Sequence, residues 1–393
     1  MKKVKGLCTG FLAASLICGA TITHAGLTGS VNDFLFKKTA EKALASYTDN
    51  TVVKTIELLR QNVEQLNTAA QQFAKTKSQK DMEAVGDALK GSFAQFNKSR
   101  IFRYGPSAHY DFDKQLATWP FDKVYVDYLT GQMEAGKMEM SVADMRIRNS
   151  SNRGLHTVKY LIYENDGTLR DPSRLSDAKL AYLTAVTGVM LEEAIDYESS
   201  WKGTSNMSAS DQEILKKAGK RIHTSYAREF KNPGEEYSRY FSISVALQEL
   251  IGEASAVLED MVALVEELPK YGDSENIRYW DSITPFNDII NQLKGVENAY
   301  MGGIEGHRGA SYADLVEKRD EQLAKRIVIS LAHAKKRAEV AKKMNGQPLE
   351  KREKAAKLLL AEVEKLTTML MAATPLVAAD KATDPFAAYG SDM

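Results

Sequence analysis

The sequence predicts an all-α protein made of two helical-bundle domains. Three observations carry that expectation. Apolar residues recur three and four apart through most of the chain after residue 30. No stretch alternates apolar and polar residues between hairpin turns. The nine prolines fall mostly at breaks between the periodic stretches, where a helix has to stop.

Taken in order, the first 25 residues read as an export signal. Lys2, Lys3 and Lys5 give a positive start, Gly6 to Ile22 are mostly apolar or small, and Thr23-His24-Ala25 suits signal peptidase. A membrane anchor is the alternative. The apolar run, about 17 residues, is at the short end for a span, and Gly10, Gly19 and several Ser and Thr interrupt it. Lipid attachment at Cys18 is disfavoured by the bulk of Ile17 just before it. Cys8 and Cys18 are the only cysteines, so cleavage leaves a mature chain with no thiol, disulfide or Cys-based metal site.

That mature chain has 368 residues (393 less 25), long enough for two or three domains with substantial cores. Cleavage removes three lysines and no acids, so Lys+Arg falls from 52 to 49 against 52 Asp+Glu. A slightly acidic protein is a poor partner for nucleic acid or anionic lipid.

The helical stripes follow. Val52 to Phe73 carries Val53, Ile56, Leu58, Leu59, Val63, Leu66 and Ala70, mostly spaced three and four apart. Asn152 to Tyr163 is a short apolar helix headed by a glycine and a histidine. Ser176 to Trp201 has an apolar side and an acidic cluster, Glu192, Glu193 and Asp196, expected to be a solvated face. Lys202 to Ser210 is a polar connector. Tyr237 to Leu268 has a wide stripe, as expected of a helix among several neighbours. Leu359, Val363, Leu366 and Leu370 repeat the pattern near the end. Helices of this length joined by short loops form bundles. The expected division is a signal at 1–25, a first bundle at 26–168, a second at 169–375 and a flexible tail at 376–393.

Three groups of residues could carry chemistry. His156 lies two residues after Gly154, among Leu155, Val158, Leu161 and Ile162, so its imidazole is expected to meet the interior. It is either a core histidine satisfied by a neighbour or one ligand of a metal, which would need two or more further ligands. Lys159, one turn on, would repel a dication and disfavour the imidazolium. Glu164 is too far along the helix to help, since eight residues rise about 12 Å. The second group is Ser99-Arg100 through Tyr104-Gly105-Pro106, then Asp111, Asp113 and Trp119-Pro120. It reads as a helix end and packed loop. The third is Asp281 to Asp288, in which Thr284 and Pro285 suit a helix start and both acids are possible cation ligands. There is no His-Glu-x-x-His, phosphate loop or nucleophile elbow. His307 sits in a glycine-rich turn and reads as a surface residue. The basic run Lys335, Lys336, Arg337, Lys342 and Lys343 reads as a solvated face.

These segments together resemble the imelysin-like family of exported bacterial helical proteins. The family carries Gly-x-His-x-x-Glu within a stretch like Arg-Gly-x-His-x-x-Glu-Tyr-Leu-Leu. Arg153-Gly154-Leu155-His156-Thr157-Val158-Lys159-Tyr160-Leu161-Ile162 is similar except at the acid. Tyr104-Gly105-Pro106 with Asp111, Asp113 and Trp119-Pro120 resembles the upstream phrase, with Arg100 standing where an acid is expected. Asp281-Ser282, Asp288, Tyr300-Met301-Gly302 and Ser311 to Val316 resemble the downstream one. The likeness runs from about residue 35 to 372.

The resemblance implies a two-domain all-α fold in the periplasm or on the cell surface, a link to iron uptake, and a metal or ligand site between the domains. Some members were first described as metallopeptidases. The residues carried over as a ligand site are His156, Lys159, Arg100, Gly154, Asp281 and Asp288, with His156 as the one metal ligand. With cations at 100 and 159, the site is expected to be electropositive, to suit a small anionic ligand or iron chelate, and to disfavour bare iron. The expected function is a non-enzymatic binding or accessory protein with a degenerate metal site, with an outer-membrane or cell-envelope protein as partner. The alternatives are a metallopeptidase-like hydrolase and a structural scaffold.

Overall fold

A computed structural model describes residues 33–270 and 285–377. The export signal, Cys18, Asp281, Thr284 and the tail from 378 lie outside the described residues. Among the described residues the structure is helical, with one isolated β-bridge between Tyr163 and Leu169. No helix among them is long and apolar enough to cross a membrane.

Helix α1 (33–46) runs through a π-helical turn, Tyr47–Val53, into α2 (Lys54–Thr76). Lys77, in the left-handed region at φ 51°, ends α2. Ser78 caps α3 (Gln79–Ser99) by accepting from the Asp81 amide at 3.1 Å. A 3-10 turn, Arg100–Phe102, leads to the short helices α4 (Pro106–Tyr110) and α5 (Phe112–Ala117). Next come α6 (Lys123–Glu134), α7 (Val142–Arg146), α8 (Leu155–Ile162) and the long α9 (Asp177–Lys202). After α10 (Ala209–Lys217) and α11 (Tyr226–Lys231), the chain forms α12 (Ile243–Glu267) and α13 (Pro285–Tyr300). It ends with α14 (Tyr312–Arg319), α15 (Glu321–Lys343) and α16 (Leu349–Val377). Helix α16 continues through Pro375, past the expected stop. A proline in a last turn removes one amide from the ladder and leaves the rest intact.

The helices pack as two groups. In the first, α2 lies against α3 and α9, and α9 also touches α5, α6, α7 and α8. In the second, α16 lies against α12 and α15, and α13 packs on α15. Helix α9 therefore packs with the first group, although a division after residue 168 would place it in the second. The groups meet where α13 crosses α3 and where α12 meets the 3-10 turn at Arg100. One apolar cluster runs continuously from Phe36 to Val377, so the junction is packed core.

The acidic cluster on α9 is a correction to the sequence reading. Glu192, Glu193 and Asp196 are buried, and every residue from Glu192 to Trp201 is buried with them. Side chains from other segments hold them. Arg146 grips Glu192 with two hydrogen bonds at 2.7 and 2.8 Å, Lys220 reaches Glu193 at 2.6 Å, and His223 lies 2.7 Å from Asp196. A central helix cannot keep a solvated face when neighbours enclose it, so its charges stay only because they are paired.

The π turn meets the loop that follows α13. The Ile304 amide donates to the Asn50 carbonyl at 2.9 Å, and the Thr51 hydroxyl donates to the Asn298 carbonyl at 3.1 Å. That loop ends at Ser311, which caps α14 in a capping box. Its hydroxyl accepts from the Asp314 amide at 3.2 Å while its own amide donates to the Asp314 carboxylate at 2.9 Å. Ser311→Ala is expected to lower the unfolding free energy by about 1 kcal/mol. Urea titration checks this: the midpoint should fall and the slope should stay the same.

Candidate functional site

Gly154 is the N-cap of α8, with φ 95° and ψ −176°, a conformation close to glycine-only. A Cβ there would lie 2.6 Å from the Leu116 carbonyl oxygen at the end of α5. Both facts let α8 begin directly against the α5 backbone. His156, two residues on, is thereby turned inward and is 7% exposed. Its ring packs against Phe93 of α3 at 5.2 Å and edge-on against Trp119 at 5.3 Å between centroids. Trp119 precedes Pro120 through a cis peptide bond.

His156 opens on a cavity of about 470 Å³ at the junction of the two helix groups. One wall comes from α3, α5 and the Trp119 loop, the other from α12 and α13. Phe93, Phe96 and Trp119 make the first wall largely aromatic, and Leu264, Leu268 and Ile289 make the second aliphatic. The charged lining is Arg100, Lys114, Asp113 and Asp288, two cations against two carboxylates.

Arg100 sits in the middle of opposing influences. Burial and neighbouring Arg103 push its pKa down, while Asp260, Asp113 and Asp288 push it up. Its guanidinium lies 3.6 Å from Asp260 of α12, so it ties the two groups together at the cavity edge. Gln292 of α13 donates to the Asn97 amide oxygen at 3.1 Å, and Asn97 donates to the Phe93 carbonyl at 2.9 Å. The other end of the Gln292 amide, Oε1, is buried and has no hydrogen-bond partner. An acceptor held dry beside a cavity is a place for a ligand donor.

Of the expected site residues, the structure brings His156, Arg100 and Asp288 together in this lining. Gly154 does not line the cavity; it acts through its backbone by seating α8. Lys159 is half-buried and is also not part of the lining. Three residues along a helix turn the side chain about 60° off His156 and raise it by about 4.5 Å, and only the first turn of α8 reaches the cavity. An electropositive pocket built from Arg100 and Lys159 is therefore replaced by one of balanced charge. Asp281 lies outside the described residues.

Among the described residues, no three His, Cys, Asp or Glu side chains converge on one point. The two carboxylates of the lining, Asp113 and Asp288, are engaged electrostatically by Arg100.

Sequence reasoning took Asp113 and Trp119 for parts of a packed loop. That they share a cavity lining with Asp288, which lies 175 positions from Asp113 (288 less 113), was invisible without the fold. Phe93, Phe96 and Gln292 gave no local signal at all, being ordinary residues on amphipathic helices.

Comparison with known proteins places this geometry in context. The sequence model of the imelysin family matches residues 43–371. A curated protein called iron-regulated protein A, from Synechococcus elongatus, is 20% identical over 294 residues, 74% of this chain and 71% of that protein. A crystal structure from Parabacteroides distasonis, provisionally named an iron-regulated protein A precursor, superposes with a TM-score of 0.70 at 17% identity, covering 87% of this chain and 95% of that one. An imelysin-like protein from Psychrobacter arcticum gives a TM-score of 0.58 at 14% identity, covering 87% and 93%. These structures share the fold of two helix groups.

Proposed function

Because this chain belongs to the imelysin family, we propose that it is an exported, non-enzymatic binding protein that takes an organic iron chelate in the junction cavity. The observation that carries this reading is the lining itself. It joins an aromatic wall, an aliphatic wall and balanced charges around one imidazole. A volume of about 470 Å³ is in the range of sites for small organic molecules. A bare ion would need converging donors, whereas an organic chelate brings its own ligands and presents rings, carbonyls and carboxylates outward. Arg100 and Lys114 suit its acidic groups, and the Gln292 Oε1 suits a hydroxyl or amide donor.

The iron link rests on the family and on the name of the Synechococcus protein. A binding role, as opposed to hydrolysis, rests on position 159. Lysine stands there where the family pattern carries its acid, so the histidine motif lacks the carboxylate that pattern supplies. Export rests on the signal-like first 25 residues.

Trp119 offers a direct test, since its ring is 40% exposed on the cavity edge. A ferric catecholate or ferric hydroxamate is expected to quench its fluorescence saturably, while the corresponding iron-free chelator with the same rings binds more weakly. Trp119→Phe should remove the signal, and Arg100→Gln should weaken binding roughly tenfold. Stoichiometric iron or zinc that co-purifies with the mature protein and is lost on His156→Ala would overturn the reading in favour of a metal site.

A further inference from the structure

A second cavity, of about 700 Å³, lies on a different part of the junction, beside the loop that follows α13. Its charged lining is Lys98 at the end of α3, Lys294 and Glu297 on α13, Glu305 and Arg308 on the loop, and Lys335 on α15. Four cations face two carboxylates, a local excess of two positive charges on a chain whose total is balanced.

The pairing within the cavity is uneven. Glu297 serves two of the cations, with Lys335 at 2.5 Å and Arg308 at 3.4 Å. Among the described residues, Lys98 and Lys294 have no carboxylate within ion-pair distance. The fold nonetheless places both on the lining of one cavity. Gly295 lets α13 cross the last turn of α3 so closely that a Cβ would lie 2.6 Å from the Lys98 carbonyl oxygen. Burial, together with the charge of Lys294, pushes the pKa of Lys98 down. In the same lining, the Gln95 amide oxygen is buried and has no hydrogen-bond partner. Two ammonium groups lining one cavity from crossing helices, with no carboxylate of their own at ion-pair distance, make an arrangement that an anion would stabilise.

We propose that this second cavity binds a small polyanion of the phosphate or polycarboxylate class. Lys98 and Lys294 are its direct contacts, Lys335 and Arg308 set by Glu297 form its rim, and Gln95 meets a hydroxyl of the ligand. Lysine ammonium groups are compact and strongly hydrated, so they act as point charges suited to an ion with several oxygens and impose no bidentate geometry. Because the cavity draws on both helix groups and on the 304–308 loop, its ligand would bridge them.

Calorimetry on the mature chain, at constant ionic strength, with sodium pyrophosphate and with tricarballylate tests the proposal. Saturable one-to-one binding of either probe is expected, and the stronger of the two names the class. Lys294→Gln removes an exposed charge without touching the core and should weaken binding roughly tenfold. Lys318→Gln on α14, outside the cavity, should leave it unchanged, as should Trp119→Phe, which separates this cavity from the junction cavity. Pulsed amine labelling read by mass spectrometry should show Lys98 protected by the bound probe. Absence of saturable binding by both probes, or binding that Lys294→Gln and Lys98→Gln both leave intact, would overturn the assignment.

Discussion

Gly154→Ala is expected to lower the unfolding free energy by on the order of 2–6 kcal/mol. Two independent terms add. A side chain at φ 95° and ψ −176° costs about 1–3 kcal/mol in backbone strain. The new Cβ would also lie 2.6 Å from the Leu116 carbonyl oxygen, an overlap with backbone that no rotamer relieves. Overpacking of that kind costs about 1–3 kcal/mol more. Chemical denaturation measures the total, and a loss below about 1 kcal/mol would show that α5 and α8 can part freely. If they part, His156 must leave its place between Phe93 and Trp119, so the Trp119 emission should shift as well. The glycine of the family pattern is thus explained by geometry alone.

The second large effect is expected at Glu193. Its carboxylate lies 2.6 Å from Lys220 and 3.7 Å from Arg153, and both Glu193 and Arg153 side chains are close to fully buried. Arg153 is further held by the Arg146 carbonyl at 3.3 Å and by Gln115. Glu193→Leu would leave that guanidinium buried beside fewer negative charges, and breaking a buried pair on one side costs about 3–5 kcal/mol. Asp196, 3.4 Å from Lys220, offsets part of the loss on the lysine side only. The double variant Arg153→Met, Glu193→Leu should recover most of the stability, because matched apolar residues are tolerated where a lone charge is not. Urea midpoints for the two single variants and the double variant decide it. Equal losses in Glu193→Leu and the double variant would mean that the residues do not act as a pair.

The long helices were legible because burial on one side leaves a 3.6-residue period whatever the neighbours are. Ser78 and Ser311 cap their helices through local chemistry that needs no tertiary partner. The acids of α9 were misread because their partners, Arg146, Lys220 and His223, are contributed by other segments and the sequence does not say which charges meet. The same limit governs the junction cavity. His156, Arg100 and Asp288 stood out by residue type and by resemblance, yet only the crossing of α3 and α13 brings the last two near each other. Lys159 was placed there by its spacing from His156, and the angle of one helical turn removed it.

The π turn at Tyr47–Val53 has a consequence for how this chain can change length. An α-helix advances about 100° per residue, so adding or deleting one residue swings everything before it around the axis by that angle. Phe36, Ala40, Ala43 and Leu44 on α1 are buried, and a swing of 100° would carry that row out to solvent. The wider turn absorbs one residue's worth of phase and keeps α1 and α2 facing the same core. Indels at Lys77-Ser78, between α2 and α3, only alter a loop, whereas at 47–53 they reset the heading of the N-terminal helix.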